Sequence, residues 1–524
     1  MKKISLLACL ILSEINLVAQ EITLKGQVSI HNSKYETGSI TYVSNAYASA
    51  PFAGSDDTDE LGKFGLTFTG IDGGTEVKVK VEKANLEIVN EYDLQQVIIG
   101  RKSLLRVYLT NKGKLANAQT ELFNISKKNL YAKYNQTIEV LEKDGIEKEQ
   151  IIADLNANLN LEIRGKNEAI HELKKQRDAV EKRLPEFAQE LAAVNLDFAS
   201  DLYIEAYEHF KKGAIEKAIK VLDDAKLDAS YKNAMAAIKQ AKTGITTLES
   251  AINDRELEIE QIIESYKLKA ESFSILFQYR TATEVYEKII QMLKETKGEN
   301  NLQLADAYDV IGGLYQDLGD YQNALKAQQK DIAIIEQVYE PNHPSIATSY
   351  HNLVSIFYSI NQIDSALHYE HKAYIIWRKK LPATHPNLKT VKNNFAFLYE
   401  KRGQQKQTAS QYKVAIQDFQ QALTYTQDSA SLHNQIGLCH YYQKKYKKAV
   451  ELYEQSYSLN PEDKLVYLNN SGMAYAKLGD FKTAKAHFEQ LQQLVPDNGL
   501  VYSCLLYTSP SPRDLSTSRM PSSA

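Results

Sequence analysis

The feature that most constrains this chain is an internal period of 42 residues. Gly319, Asn361 and Gly403 are spaced by that interval, as are Ala282, Ala324 and Ala366. His343 and His385 repeat at the same spacing, each followed by Pro, and so do Asn352 and Asn394. Further on the unit shortens, with Gly437 and Gly472 lying 35 apart. Several residue types sharing one period predict stacked supersecondary units, none of which buries its apolar face alone.

The later units carry a resemblance. The run from Asn470 to Ala484 sets Gly472, Tyr475, Gly479 and Ala484 at the offsets of the tetratricopeptide repeat (TPR), and Phe488 and Pro496 continue the pattern. Asn434 to Pro461 is similar, through Gly437, Ala449, Tyr453 and Pro461. The 42-residue units resemble the longer repeats of kinesin light chain, with a His-Pro start, an Asn-Leu pair, a turn, and then Ala and an aromatic in the second helix. A weaker unit holds Gly213, Ala218 and Ala225. The resemblance implies a mainly α TPR solenoid of about seven units over 199–498: 199–232, 263–303, 304–344, 345–386, 387–429, 430–463 and 464–498. The fifth unit departs from the pattern. Its second helix aligns on Ala415, Phe419 and Ala422, which predicts about seven extra residues after Gly403.

Small residues explain the signature. Gly312, Gly437 and Gly472 let paired helices approach, and Ala324, Ala366, Ala449 and Ala484 do the same from the second helix. Stacked pairs of this kind build a concave groove suited to peptides or partner helices. By the TPR pattern, Asp309, His351, Asn393, Asn434 and Asn469 point into it, followed by Val310, Asn352, Asn394, Gln435 and Asn470. The amides of the second set resemble the asparagine ladder of other TPR proteins, which holds a peptide backbone by donating and accepting together. The other reading is that they satisfy neighbouring helix ends.

Upstream the pattern differs. Residues 21–112 read as strands, alternating over Ile22 to Ile30, Gly65 to Phe68, Val77 to Val81 and Leu104 to Leu109. Thr58-Asp59-Glu60-Leu61-Gly62-Lys63-Phe64 resembles the turn of carboxypeptidase-regulatory-like β-sandwich domains, which implies a small structural module. The acidic residues Asp56, Asp57, Asp59 and Glu60 lack the ligand spacing of a calcium loop and read as a solvated turn. Residues 113–197 read as a helical spacer, with Ile170, Leu173, Val180 and Leu184 on one face. A helix end is expected near Leu184, because Pro185 follows. A dimeric coiled coil is the second reading of this stretch.

Both termini look non-structural. Lys2 and Lys3 precede the apolar run Ile4 to Leu12, and Val18-Ala19-Gln20 closes a segment expected to be a signal peptide over 1–20. From Cys504 onward the sequence resembles translated sequencing adapter, so 504–524 are expected to be an artefact and the protein to continue past Ser503. Each of these ends carries one net positive charge, so the remainder stands at -6 against -4 for the whole. That charge disfavours nucleic acid. Of three cysteines only Cys439 remains between the two ends, too few for an internal disulfide or a multi-cysteine metal site.

No HExxH, GxSxG, Walker or dinucleotide motif occurs, so neither a catalytic site nor a cofactor is expected. Gly73-Gly74 sits in a hairpin turn rather than before a helix. His343 and His385 read as repeat features at helix starts rather than metal ligands, and Cys439 as a packed small residue. Tyr441-Tyr442 with Lys444, Lys445, Lys447 and Lys448 reads as a solvated turn. The expected function is a non-catalytic scaffold of the bacterial envelope that docks a protein or peptide, with no membrane span. The alternative is the sensory half of a signalling protein or protease whose effector domain lies beyond Ser503.

Overall fold

The computed structural model describes residues 21–32, 40–100, 104–143, 145–159, 161–243, 249–426 and 429–495. The expected signal peptide, Pro496 and the adapter-like tail lie outside them. The chain divides into two compact units, residues 1–338 and 339–524.

The first unit opens with short strands: β1 (Glu21–Ile30), β2 (Tyr47–Ser49), β3 (Ser55–Asp57), β4 (Lys63–Thr69), β5 (Glu76–Val77), β6 (Lys80–Glu82) and β7 (Leu86–Ile88). A one-turn helix α1 (Glu91–Gln95) precedes β8 (Val97–Ile98) and β9 (Leu105–Asn111). They form sheets in the orders β4-β1-β9-β7, β3-β2-β6 and β5-β8, with β1 antiparallel to β4 and parallel to β9. The alternation in β1 and β4 places Leu24, Val28, Phe64, Leu66 and Phe68 in one core with Val81, Val107 and Leu109. The run Val77 to Val81 is not one strand. It divides, with β5 pairing β8 and β6 pairing β2.

The acidic turn is held by backbone. Asp59 Oδ1 accepts from the amides of Leu61 and Lys63 at 2.9 and 2.7 Å, and Asp56 Oδ2 from Gly65 at 2.7 Å. Gly62 sits at φ +70, where a Cβ would lie 2.2 Å from the Val28 carbonyl oxygen, so no other residue fits this turn.

Helices follow: α2 (Lys114–Glu142), α3 (Ile146–Leu159), α4 (Lys166–Ala193), α5 (Asp201–Lys211), α6 (Ile215–Val221), α7 (Asp224–Thr243), α8 (Glu249–Ile275), α9 (Tyr279–Lys297), α10 (Leu302–Asp317) and α11 (Tyr321–Val338). The expected helix end at Leu184 does not occur, because α4 runs through Pro185. Pro185 is exposed, so water can serve the carbonyl one turn back, while Leu184, Phe187, Ala188 and Leu191 continue the buried face. The helices α2 and α4 of the expected spacer are not isolated. They pack on each other, and α4 lies against α8.

The second unit holds four helix pairs: α12 (Pro344–Ser359) with α13 (Ile363–Lys380), α14 (Pro386–Thr408) with α15 (Tyr412–Leu423), α16 (Ala430–Tyr442) with α17 (Tyr446–Leu459), and α18 (Lys464–Leu478) with α19 (Phe481–Leu494). His343 and His385 cap the starts of α12 and α14. Each Nδ1 accepts from the amide two residues on, at 3.2 Å, and proline occupies the first helical turn.

Candidate functional site

Each pair turns through one left-handed residue, and these turns fix the register. In the first unit they are Phe277 (φ 62) and Gly319 (φ 74). In the second they are Asn361 (φ 62), Ser410 (φ 59), Lys444 (φ 62) and Gly479 (φ 84). Seven residues before a turn, two helical turns back, the first helix meets the second. A Cβ on Gly437 would stand 2.6 Å from the Tyr453 ring, and one on Gly472 would stand 2.9 Å from Phe488. Gly403 belongs to this set, since its Cβ would lie 2.7 Å from Phe419.

The sequence register of the fifth unit is therefore corrected. Gly403 is a packing residue inside α14, and Ser410 is the turn. The seven extra residues lie within the first helix, before Gly403, and lengthen α14 to 23 residues. Glu400 and Lys401, not Asn393 and Asn394, hold the places equivalent to His351 and Asn352. Seven residues are close to two turns, so Asn393 and Asn394 keep the same face but sit roughly 10 Å away along the axis.

Counted from the turn, the two sets of expected groove residues behave differently. Asp309, His351, Asn434 and Asn469 precede their turns by ten and lie at the seam with neighbouring helices. Gln328 Nε2 donates to Asp309 Oδ1 at 2.5 Å, and His351 Nδ1 stands 2.8 Å from Glu370 Oε2. Both pairs are 19 residues apart, and Gln328 and Glu370 occupy the place that Phe419, Tyr453 and Phe488 fill elsewhere. Asn469 donates to Asn470 at 3.0 Å, and Asn470 donates to Asn434 of the preceding pair at 2.8 Å. That chain ties one repeat to the next through side chains rather than through a helix end. Asn470 is itself buried. Among the described residues the side chains of Asn393, Asn394 and Gln435 meet no hydrogen-bond partner.

The residues 13, 9, 6 and 2 before each turn form one helical stripe facing away from the paired helix. In the second unit it runs through Asn352, Ser355 and Ser359 on α12, Phe397 and Lys401 on α14, Gln435 and Tyr442 on α16, and Val466 and Lys477 on α18. Phe397, Tyr442 and Val466 are 41, 55 and 45% exposed. Phe397 meets Tyr358 edge-on at 5.0 Å, with Lys401 Nζ 5.4 Å above its ring.

In the first unit the same stripe is covered, and sequence reasoning missed this. The stripe residues of α8 and α10 include Glu264, Glu271, Asp306, Gly313 and Asp317. The α4 helix lies on them: Arg183 pairs with Asp317, Glu190 stands 3.9 Å from Lys267, and Tyr279 Oη donates to the Gln176 carbonyl at 3.3 Å. Burial opposes the Arg183 charge, but Asp317 and Glu271 together hold its pKa raised. Gly313 lies beside the Arg183 side chain; a Cβ there would stand 3.6 Å from it, at ordinary contact distance. A signal existed in α4, whose apolar face continues past Pro185.

Cys439 is fully buried, and burial pushes its thiol up to about 11; its Sγ accepts from Gln407 Nε2 at 3.4 Å. It is poorly suited to act as a nucleophile. Among the described residues no helix is long and apolar enough to cross a membrane.

Residues 303–379 and 428–496 match the tetratricopeptide repeat family model. The stretch between the matches holds the lengthened α14, whose extra turns break the period. No curated protein matches the chain significantly. Solved structures with similarity include the nearly identical TPR-like repeats of a kinesin light chain from Podosopora anserina, at 18% identity over 43% of this chain and 92% of that one, TM-score 0.30. The C-terminal part of a TPR repeat-containing protein from Cytophaga hutchinsonii is 16% identical over 58% of this chain and 99% of that one, TM-score 0.37. YrrB, described as a TPR protein with an unusual peptide-binding site, is 18% identical over 42% and 97%, TM-score 0.28. The chain is mainly helical, of the TPR-like solenoid type, with a small N-terminal β region. Repeats of this kind imply a scaffold for protein–protein interaction, and proteins built from them are generally non-catalytic.

Proposed function

We propose that this protein is a non-catalytic docking scaffold of the bacterial envelope whose partner protein lies along the exposed stripe of α12, α14, α16 and α18. The observation that carries the reading is that the stripe leaves Phe397 and Val466, thirteen residues before their turns, and Tyr442, two before its own, largely exposed beside polar side chains. Apolar groups gathered on one face mark an interaction surface more often than scattered single ones do. The stripe in the first unit is filled by α4, which leaves the second unit to receive the partner. Residence in the envelope rests on the lysine-led apolar run at 2–12 and is tested by fractionating cells that express the tagged chain.

The docking experiment uses the full chain as bait against an envelope extract, beside a Phe397→Ser/Tyr442→Ser variant. Both side chains are exposed, so the variant is expected to keep its circular dichroism spectrum and lose the specific partner. Equal recovery of the same partner by both proteins would remove the stripe from the function.

A further inference from the structure

The stripe of the first unit shows what such a surface accepts in this chain. Its occupant is a helix, α4, laid along α8 and α10. Glu264, Glu271, Asp306 and Asp317 line the stripe; α4 brings Arg183 to pair with Asp317, together with Glu186 and Glu190, which repel the stripe's carboxylates. The same positions in the second unit carry different chemistry. From 348 to 477 they hold no carboxylate and two lysines, Lys401 and Lys477, with Phe397, Leu438, Tyr442, Val466 and Met473 supplying apolar surface. The amide that would have to grip an extended backbone in the last pair, Asn470, is buried and committed to Asn434 and Asn469.

We infer that the second unit's stripe takes an amphipathic α-helix of a partner protein, with an apolar seam flanked by Asp and Glu. An apolar seam covers Phe397, Tyr442 and Val466, as helix-in-groove recognition requires. Acidic flanks complement Lys401 and Lys477, and those lysines repel helices with basic flanks. The inference rests on the stripe being the docking surface and adds the class of partner.

The test presents the full chain with two displayed 22-residue peptide libraries. One is an alanine-based helical scaffold with seam and flanks randomised; the other carries proline at every fourth position and stays extended. The helical library is expected to enrich sequences with apolar residues at i, i+3, i+4 and i+7 and acidic flanks. Synthetic winners should lose at least tenfold in affinity for the Phe397→Ser/Tyr442→Ser variant, and severalfold for Lys401→Glu/Lys477→Glu. Winners from the proline library that depend on Phe397 and Tyr442 would overturn the helix and leave the stripe standing. Helical winners with basic flanks would overturn the charge assignment. Binders indifferent to all four residues, or no binders at all, would overturn both the helix and the stripe.

Discussion

His351 Nδ1 stands 2.8 Å from Glu370 Oε2, and Glu370 is completely buried at a position where the later repeats carry Phe or Tyr. The carboxyl group's other oxygen, Oε1, has no hydrogen-bond partner among the described residues. A buried polar group of this kind is tolerated only with its hydrogen-bond partner in place. His351→Ala is therefore expected to destabilise the second unit by about 1–3 kcal/mol. Replacing both residues by apolar ones of similar volume, His351→Leu with Glu370→Met, is expected to be close to neutral. Urea unfolding of the three proteins checks this, and a double variant as unstable as the single one would show that the pair stabilises the fold itself.

The corrected register of α14 makes opposite predictions at two positions seven apart. At Gly403→Ala the new methyl meets the fully buried Phe419 ring at 2.7 Å, so a cost of about 1–3 kcal/mol is expected. At Ser410→Gly the left-handed strain at φ 59 is relieved, for a gain of up to about 1 kcal/mol. Were Gly403 the turn and Ser410 helical, Gly403→Ala would still cost stability, through left-handed strain, but Ser410→Gly would destabilise by about 0.5–1 kcal/mol, so the Ser410 variant separates the two registers. Thermal melts of the two single variants decide the matter.

How much of this was visible in the sequence depends on what the period encodes. The helix pairs were legible because Gly437 against Tyr453 and Gly472 against Phe488 are short-range packing rules written in residue size. The fifth unit misled because Gly403 falls 42 residues after Asn361 by coincidence, while the real turn is a serine with no left-handed signature. The groove residues were half legible. A period says that Asp309 and His351 are equivalent, and not that both are spent on the second helix through Gln328 and Glu370. The docking of α4 was illegible, since Arg183 and Asp317 lie 134 residues apart and nothing local connects them. Pro185 also argued, wrongly, that the helix had ended.

Asn470 separates the two roles considered for the amides. It donates to Asn434 at 2.8 Å, accepts from Asn469 at 3.0 Å and is buried. Asn470→Ala is expected to cost about 1–3 kcal/mol, since Asn434 and Asn469 each lose a partner. Asn394→Ala, on the same face of α14 and without such bonds, is expected to change stability by less than about 0.5 kcal/mol. Chemical denaturation measures both, and equal costs would remove the distinction.

Arg183 fixes α4 on the first unit. Its guanidinium pairs with Asp317 within a largely buried setting, so Arg183→Met leaves that carboxylate without its partner. A loss of about 3–5 kcal/mol is expected. Lys175, an exposed cation on the same helix whose nearest carboxylate is Glu172 at 3.6 Å, provides the contrast, and Lys175→Met is expected to cost less than about 1 kcal/mol. Hydrogen exchange should show the protection of α4 amides falling in the first variant and holding in the second. Unchanged protection in both would mean that the apolar face of α4 alone holds it in place.

Glu271 predicts a pH dependence with a defined sign. Burial pushes its carboxyl from 4.5 up to about 7, against the opposing charge of Arg183. Below pH 4.5 the group is protonated in both the folded and the unfolded chain. Between 4.5 and 7 the unfolded chain releases the proton and the folded one keeps it, so stability falls as pH rises. Above 7 both forms are ionised and the loss is complete, on the order of 3 kcal/mol. Glu271→Gln keeps an acceptor for Tyr286 Oη, 3.2 Å from Oε1 in the native protein, and removes the titration. The difference in unfolding free energy between variant and native protein should therefore shift in favour of the variant across pH 4.5–7 and stay level on either side. A difference independent of pH would show that Glu271 is ionised throughout, held by Arg183 more strongly than burial opposes it.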